Sequence, residues 1–168
     1  TWPRKYGGAG LDNDKYRILI EEIKRIDARP PLTGRGVNYI GPTILELGTD
    51  DQKARWLPIC ARGEGAWAMG YSEPGAGSDL ASLSTRADKH GDQYWLNGRK
   101  TWTSDASYCD YIFVLARTSP QKPKHEGISL ILVDMHSGRR SPASTHEPRP
   151  AASPRLKGLD ERQYIEQV

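Results

Sequence analysis

Cysteine is scarce in this sequence, and long apolar runs are absent from it. The 168 residues include two cysteines, Cys60 and Cys109, and neither belongs to a CxxC or CxxH pair. A disulfide framework and a zinc site are therefore not expected. No apolar run approaches the roughly 20 residues of a membrane-spanning helix, and no basic and then apolar leader follows Thr1. We expect a cytoplasmic protein with no membrane span and no bound metal.

Concentrated charge is also missing. The chain has 24 Lys and Arg and 21 Asp and Glu residues, and six of the basic and four of the acidic ones follow residue 135. The part before that is almost neutral, whereas a nucleic-acid-binding domain usually has a basic face. The four histidines lie in turns or loop-like stretches, without the grouping of a Ser-His-Asp triad or a metal site. We expect no nucleic-acid partner, and any chemistry must come from a cofactor.

One long segment near the end lacks apolar residues. Residues 136–155 contain no Val, Ile, Leu, Met or aromatic residue, and such a segment buries too little apolar surface to order itself. We expect disorder there, followed by a weak helical end at 159–168. Arg, Pro, Ala and Ser dominate the segment, and GC-rich codons encode these residues when they are read out of frame. One hypothesis is therefore a frameshift near His136, which makes 136–168 a low-complexity tail.

The first 65 residues predict helices. Apolar residues three or four apart indicate a helix that begins after Asp12 or Asn13 and is stopped by Pro30. The stretch PTILELG is typical of a short second helix that ends at a glycine. Thr49 and Gln52 have the spacing of a capping box and indicate the start of a third.

From Ala66 onward the pattern is typical of short strands. The turn signal Asn97–Gly98 is expected to join two of them, and strands at this spacing favour an antiparallel sandwich or barrel. The fold class is therefore α+β, with a helical segment at 1–65 and an antiparallel, barrel-like β domain at 66–135. The candidate strands are 67–72, 82–87, 93–96, 99–103, 111–116 and 128–133.

The stretch YSEPGAGSD, residues 71–79, is the most glycine-rich candidate site. It lacks the Lys after Gly77 of a Walker A loop and the third glycine of the Rossmann fingerprint. On these residues alone, a tight turn that binds nothing is as well supported as a ligand site. Glu73 and Asp79 are candidates for an acid–base pair, but such carboxylates more often cap turns, so scaffolding is their favoured role.

Four stretches in series resemble a known family. AWAMGYSEPGAGSDLASLSTRA and YWLNGRKTWTSDASYCDYIFVLAR resemble the two middle-domain signatures of the acyl-CoA dehydrogenases, and KYGGAGL and GTDDQKARWLP are similar to that family's N-terminal helical landmarks. The resemblance covers about residues 1–135 in order and spacing. It implies a helical N-terminal domain, a β-barrel middle domain and a C-terminal four-helix domain, with FAD bound between the last two.

The resemblance also implies a reaction and its partners. The family removes two hydrogens from an acyl-CoA thioester in fatty-acid β-oxidation and related lipid catabolism. A carboxylate takes the α-proton, and the β-hydrogen passes as hydride to FAD. The implied partners are the acyl-CoA substrate, the electron-transferring flavoprotein as electron acceptor, and further chains in a homo- or hetero-oligomer. The C-terminal helical domain with the catalytic carboxylate is missing from this sequence, so no catalytic residue is expected in it.

Two segments match the family's flavin-contacting positions. Residues 69–78 are implied to offer backbone N–H groups and the Ser72 hydroxyl to the isoalloxazine edge, with Ser78 also toward the thioester. Trp102, a core residue by local pattern alone, is implied to shield the flavin ring, with the Ser104 hydroxyl near N5. Asp105 stands where Asn is usual, and its charge is expected to lower the flavin's tendency to accept hydride. The implied cofactor-binding residues are Met69, Gly70, Tyr71, Ser72, Gly77, Ser78, Trp102, Thr103 and Ser104.

Other functions stay open at this point. An acyl-CoA oxidase or a flavin monooxygenase of similar fold differs in how oxygen reaches the flavin, which these residues do not reveal. A non-catalytic partner that binds FAD or acyl-CoA, or a relic of the enzyme, also fits a chain without a base. Because helices at 12–61 would expose the face meant for the missing domain, we expect poor solubility.

Overall fold

The computed structural model describes residues 1–91 and 93–135, together with the backbone of Leu156–Asp160 and Tyr164–Glu166. The chain divides into two compact units, Thr1–Gly65 and Ala66–Val168. The segment 136–155, where we expect disorder and a frameshift, lies outside the described residues.

Three α-helices form the first unit, and two of the predicted helix starts are confirmed. The helices are α1 (Asn13–Arg25), α2 (Gly41–Leu47) and α3 (Asp50–Arg62), with a 3₁₀ turn at Arg4–Tyr6 and a π-helical stretch at Gly36–Ile40. At the start of α1, Asp12 Oδ1 accepts a hydrogen bond from Lys15 N at 2.8 Å. At the start of α3, Thr49 and Gln52 form the reciprocal capping box.

The end of α1 lies several residues before Pro30, so the predicted proline stop is wrong. Asp27 has a left-handed φ of 51°, and Ala28 N donates to Ile23 O at 3.0 Å while Asp27 N donates to Lys24 O at 3.2 Å. These two bonds form a Schellman motif. A short polar side chain tolerates the left-handed region better than most, so Asp27 can end the helix where glycine is usual.

The core of the first unit lies around α2 and α3. Ile40, Ile44, Trp56 and Leu57 are each at most 1% exposed, and full burial of such side chains contributes roughly 1.5–3 kcal/mol apiece. α1 has no buried residue. Its exposed apolar side chains include Tyr16, Ile18 and Leu19.

A mixed sheet forms the second unit. Its strands are β1 (Trp67–Gly70), β2 (Arg86–His90), β3 (Gln93–Asn97), β4 (Tyr111–Arg117), β5 (Ile128–Asp134), β6 (Leu156–Asp160) and β7 (Tyr164–Glu166). β4 pairs antiparallel with β5, and β2 pairs antiparallel with β3. β1 lies parallel to β4, and β2 meets β4 at one parallel pair, Arg86↔Arg117. The hydrogen-bonded order is β6-β3-β2-β4-β5-β7, with β1 also on β4.

The α+β class with helices first is confirmed, but the antiparallel barrel is wrong. Two of the pairings are parallel, and within the described backbone the order ends at β6 and β7 without closing. Hairpin signals identify strands that a short turn joins, whereas parallel neighbours need a long crossover connection. Such a connection leaves no short-range signal in the sequence.

Two strand predictions in the middle of the chain are corrected. Residues 99–103 form no strand, so Asn97–Gly98 ends β3 instead of joining two strands. A Cβ added at Gly98 would lie 2.2 Å from Thr85 Oγ1, so glycine allows close packing here. The strand predicted at 82–87 begins only at Arg86.

The described backbone near the end of the chain also differs from the prediction. We expected a weak helical end at 159–168, but Leu156–Asp160 and Tyr164–Glu166 are strands. They pair antiparallel with β3 and β5. An edge strand has unpaired backbone N–H and C=O groups that can pair with a further strand. The helical pattern within residues 159–168 carries no information about such pairing with a distant strand.

β4 and β5 are buried on both faces and form the centre of the second unit. Residues 112–116 and 130–133 are all at most 7% exposed. On one face, Ile112, Val114 and Ile131 pack with Leu96 of β3. β1 pairs with β4, so the segment that follows β1 begins at a well-packed part of the sheet.

Candidate functional site

The glycine segment, residues 71–79, begins directly after β1. Glu73 N donates to Ala76 O at 2.9 Å, and Ala76 N donates to Glu73 O at 3.1 Å. This reciprocal pair closes a tight turn with Pro74 and Gly75 at its centre. Both central residues are exposed. The segment therefore presents its glycine-rich backbone at the surface of the second unit.

The Glu73 carboxylate holds the base of this turn. Oε2 accepts from Ser84 N and from Ser84 Oγ, both at 2.7 Å, and Oε1 accepts from Thr85 N at 2.9 Å and from Lys100 Nζ at 2.8 Å. Burial disfavours the charged carboxylate, but the hydrogen bonds from Lys100 and from residues 84 and 85 outweigh it and lower the pKa of Glu73 to about 2. Its lone pairs are occupied, so it is a structural anchor rather than a base.

Lys100 is the functional-site residue that sequence reasoning missed. Besides Glu73, its Nζ donates to Tyr71 O at 3.0 Å, and its side chain is only 10% exposed. Burial lowers the pKa of Lys100, and the nearby Glu73 charge partly opposes that shift. The available signal was its place in the quoted stretch YWLNGRKTW, where Lys100 follows Arg99 and the stretch contains no acidic residue that could pair with it.

The second sequence motif is tied to the glycine segment by a backbone bond. Thr101 N donates to Ser72 O at 2.9 Å. This bond brings two stretches that are far apart in sequence to one place, with Trp102 the next residue after Thr101. Ser72 and Thr101 are both half-buried.

Gly70 at the end of β1 and the two glycines of the segment differ in the space around them. A Cβ added at Gly70 would lie 3.2 Å from both Ile112 Cδ1 and Val114 Cγ2, so a side chain there would require these two β4 side chains to shift by a few tenths of an ångström. At Gly75 and Gly77 an added Cβ would meet no heavy atom within 4 Å, and neither residue has a left-handed φ. The fold itself would accept a side chain at both positions. Glycine there leaves the backbone accessible to a bound group.

Three other residues of the first motif lie at different depths. Met69 is half-buried in β1, and Ser78 is exposed. The Tyr71 ring packs edge-on against Phe113, with centroids 5.7 Å apart, and burial raises the pKa of its hydroxyl. Tyr71 therefore joins the segment to the β4 core, while Ser78 faces solvent.

The second motif contains an unusual backbone conformation. Trp102 has φ 56° and is 89% exposed, and Asp105 has φ 66°. For a bulky residue, the left-handed region costs roughly 1–2 kcal/mol, and strain of this kind concentrates at binding sites. Ser104, also exposed, donates its N–H to Trp102 O at 3.0 Å. The result is a short loop that presents an indole ring to solvent.

A small cavity lies beside this loop within the second unit. Its volume is about 250 Å³, and its lining includes Thr85, Lys100, Thr103, Ile112 and Met135. Thr85 Oγ1 and Thr103 Oγ1 are buried without a hydrogen-bond partner in the described part of the chain. Ligand pockets usually measure about 300–1,000 Å³, so this cavity can hold only part of a large ligand.

Residues 1–91 and 93–135 offer neither a cluster of metal ligands nor a membrane-spanning helix. These residues contain no group of three or more His, Cys, Asp or Glu side chains that could hold a metal ion. Among their helices, none has the length and apolar character that crossing a membrane requires.

Comparison with known proteins identifies the family. Residues 1–64 match the acyl-CoA dehydrogenase N-terminal domain, and residues 68–155 match the acyl-CoA dehydrogenase middle domain. The middle-domain match extends beyond Met135 into the stretch where we predict a frameshift, and that prediction stays untested.

Similar proteins come from sequence and from structure. Acyl-CoA dehydrogenase IpdE1 of Mycobacterium tuberculosis is 43% identical over 134 residues, which are 80% of this chain and 35% of that protein. The Tcur3481–Tcur3483 steroid ACAD has a TM-score of 0.75 at 34% identity, covering 99% of this chain and 44% of that one. The ChsE4–ChsE5 complex from Mycobacterium tuberculosis has a TM-score of 0.72 at 35% identity, with the same coverage of both chains.

The chain thus spans between a third and a half of the length of these three relatives. Both matched domains appear in the order and at the positions that the four sequence stretches occupy. This chain belongs to the acyl-CoA dehydrogenase family and carries its N-terminal and middle domains.

Proposed function

We propose that this chain is the N-terminal and middle part of an FAD-dependent acyl-CoA dehydrogenase that introduces an α,β double bond into an acyl-CoA thioester. The observation that carries the proposal is the hydrogen bond from Thr101 N to Ser72 O. It joins the open glycine segment to the loop with the exposed Trp102. These are the two segments that the family resemblance assigns to the flavin.

The residues present fit a flavin. An isoalloxazine is a planar ring system with hydrogen-bonding edges, and the chain offers an 89% exposed indole at Trp102 and accessible backbone at Gly75 and Gly77. When bound, FAD would be the acceptor of the β-hydrogen, which leaves the substrate as hydride. All further contributions must come from the protein.

Each proposed contact has a separate task. The Ser72 hydroxyl and neighbouring N–H groups donate to the ring edge, and Trp102 covers the ring and excludes water. The Ser104 hydroxyl hydrogen-bonds near N5. Gly77 and Ser78 approach the diphosphate and the thioester end of the substrate. Neighbouring residues of the same two segments support these contacts: Met69, Gly70, Tyr71 and Thr103.

Proton abstraction needs a carboxylate from elsewhere. Glu73 accepts four hydrogen bonds and has a pKa of about 2, which makes it a poor base. Asp79 is engaged by Lys124 and Ser82. We therefore propose that the base belongs to polypeptide beyond the described residues.

The relatives support a proposal for the substrate and the partners. The steroid ACAD at 34% identity favours a bulky, ring-containing acyl-CoA over a simple straight-chain one. Two similar structures carry paired names, Tcur3481–Tcur3483 and the ChsE4–ChsE5 complex, which favours assembly with a second acyl-CoA dehydrogenase chain. We propose the electron-transferring flavoprotein as the electron acceptor.

A non-catalytic, FAD-binding partner is the second candidate. The engagement of both Glu73 and Asp79 by neighbouring groups favours it, because such a chain would complete the site of another subunit. An oxidase or flavin monooxygenase has no separate observation in its support. Addition of acyl-CoA to the FAD-loaded chain, extended by the polypeptide proposed to carry the base, separates the candidates: bleaching of the flavin indicates dehydrogenation, and stable yellow colour indicates the partner role.

FAD titration of the purified chain tests the site itself. We expect quenching of flavin fluorescence, and in Trp102→Ala about a tenfold weaker affinity from the lost ring contact. Trp95→Ala is the matched control, since Trp95 is an exposed tryptophan on β3. Equal weakening in both variants, or no quenching by the unmodified chain, would contradict the proposed site.

A further inference from the structure

The glycine segment is held at its far end by a second set of contacts that the proposed function does not use. Asp79 Oδ1 and Oδ2 accept from Lys124 Nζ at 3.1 and 2.9 Å, and Oδ2 also accepts from Ser82 Oγ. The Asp79 and Lys124 side chains are 61% and 50% exposed. This contact links the segment to the connection between β4 and β5.

Arg117 ties the same two stretches together through their backbones. Its Nη2 donates to Ala81 O at 2.7 Å and to Leu83 O at 3.2 Å, and its Nη1 donates to Lys124 O at 3.2 Å. One planar guanidinium thus contacts both the 3₁₀ turn Leu80–Ser82 and the backbone of Lys124, whose ammonium group binds Asp79. A lysine cannot reproduce this arrangement, because it lacks the rigid fork of donors.

Between its two ends the segment has little support of its own. Gly77, Ser78 and Asp79 donate no backbone N–H hydrogen bond within the described part of the chain. Their N–H groups are therefore available to a ligand, but their position depends on whatever fixes the segment on either side. Glu73 fixes the near side, and Arg117 with Lys124 fixes the far side.

We propose that Arg117, acting with Lys124, is a positioning residue that sets where Gly77 and Ser78 meet the ligand. The consequence for FAD rests on the function proposed above, whereas the anchoring itself does not. Arg117 touches no ligand in this scheme. It acts through the carbonyls of Ala81, Leu83 and Lys124.

Hydrogen exchange of the 168-residue chain without FAD tests the anchoring. The reporters are the amides of Ser82 and Leu83, which donate to Asp79 O and Leu80 O, each at 3.1 Å. In Arg117→Lys we expect them to exchange about tenfold faster, as for the loss of a charged hydrogen bond. The Ala76 amide, inside the turn that Glu73 holds, should be unchanged. Lys124→Met should give a smaller acceleration of the exchange. It serves as the second test variant, because it retains the fold even if Arg117→Lys does not.

Arg86→Lys is the matched control. Arg86 lies opposite Arg117 in the β2–β4 register, but among the described residues its guanidinium forms an ion pair with the half-buried Asp88, at 3.4 Å. It should leave exchange at Ser82 and Leu83 as in the unmodified chain. Unchanged exchange in both Arg117→Lys and Lys124→Met would overturn the anchoring.

Titration with FAD then tests the positioning role. We expect the dissociation constant to rise about three- to tenfold in Arg117→Lys and to stay constant in Arg86→Lys. Faster exchange with unaltered FAD affinity would overturn the positioning role. If the unmodified chain binds no FAD, the proposed function fails, while the exchange rates still decide whether Arg117 anchors the segment.

Discussion

The two carboxylate–lysine pairs at the ends of the glycine segment have nearly the same length but very different surroundings. Lys100 Nζ lies 2.8 Å from Glu73 Oε1, with side chains 10% and 3% exposed. Lys124 Nζ lies 2.9 Å from Asp79 Oδ2, with side chains 50% and 61% exposed. Water screens the second pair, whereas the first must be satisfied by the protein alone. The N–O distance therefore predicts little about how much each ion pair contributes to stability, whereas the burial of its side chains predicts most of it.

Removal of the buried lysine should have the largest effect. Lys100→Met leaves the Glu73 carboxylate buried without its cation, and loss of one partner of a buried pair costs about 3–5 kcal/mol. Urea denaturation of the second unit measures this loss. In Lys100→Met/Glu73→Leu, where the charge is gone as well, a large part of the stability should return. A loss below 1 kcal/mol in the single variant would show that water reaches the carboxylate.

Acid should weaken the buried pair next. The pKa of Glu73 is lowered from 4.5 to about 2, so the unfolded chain binds the proton more readily than the folded one. The stabilisation, on the order of 3 kcal/mol, is present above pH 4.5 and is lost as pH falls toward 2. Denaturation at a series of pH values measures it. Asp79→Asn should retain most of this pH dependence, and Glu73→Gln should remove it.

Loss of a single hydrogen bond to Glu73 should have an intermediate effect. Ser84→Ala deletes the Oγ donor 2.7 Å from Oε2 but keeps the Ser84 N–H bond to the same oxygen. A hydrogen bond to a charged group contributes about 1.5–3 kcal/mol, and the remaining three donors hold the carboxylate in place. Ser82→Ala, which removes the hydroxyl beside Asp79, is the matched control and should cost less. Equal losses would contradict the role of burial.

Local signals in the sequence were sufficient for helix starts but not for the sheet. The capping box of Thr49 and Gln52 lies within one helical turn, so spacing alone identifies it. The parallel pairing of β1 with β4 joins Trp67 to Tyr111, and no short window contains both. Residues 99–103 alternate like a strand, but Lys100 turns inward to Glu73 and Thr101 bonds to Ser72, which keeps them out of the sheet.

The candidate site shows the same division. Its glycines, serines and Trp102 could be selected from the motifs, and scaffolding could be favoured for Glu73. The partner of Glu73 could not, because Lys100 is 27 residues away and becomes a neighbour only in the folded chain. Openness at Gly75 and Gly77 is likewise a property of three-dimensional packing. Composition alone cannot separate these two from Gly70, where an added Cβ would crowd the side chains of β4.

Removal of the exposed lysine should have the smallest effect on stability. Lys124→Met breaks a pair in which both side chains are at least half exposed, and such pairs contribute about 0.2–1 kcal/mol. The loss should shrink further at 1 M salt, where screening acts over about 3 Å, whereas the cost of Lys100→Met should persist. Lys122→Met, from the same connection, provides the baseline for removal of one positive charge. A salt-independent loss above 2 kcal/mol in Lys124→Met would mean that the far end of the glycine segment is as rigidly fixed as the near end. Screening by water would then not explain the difference between the two ion pairs.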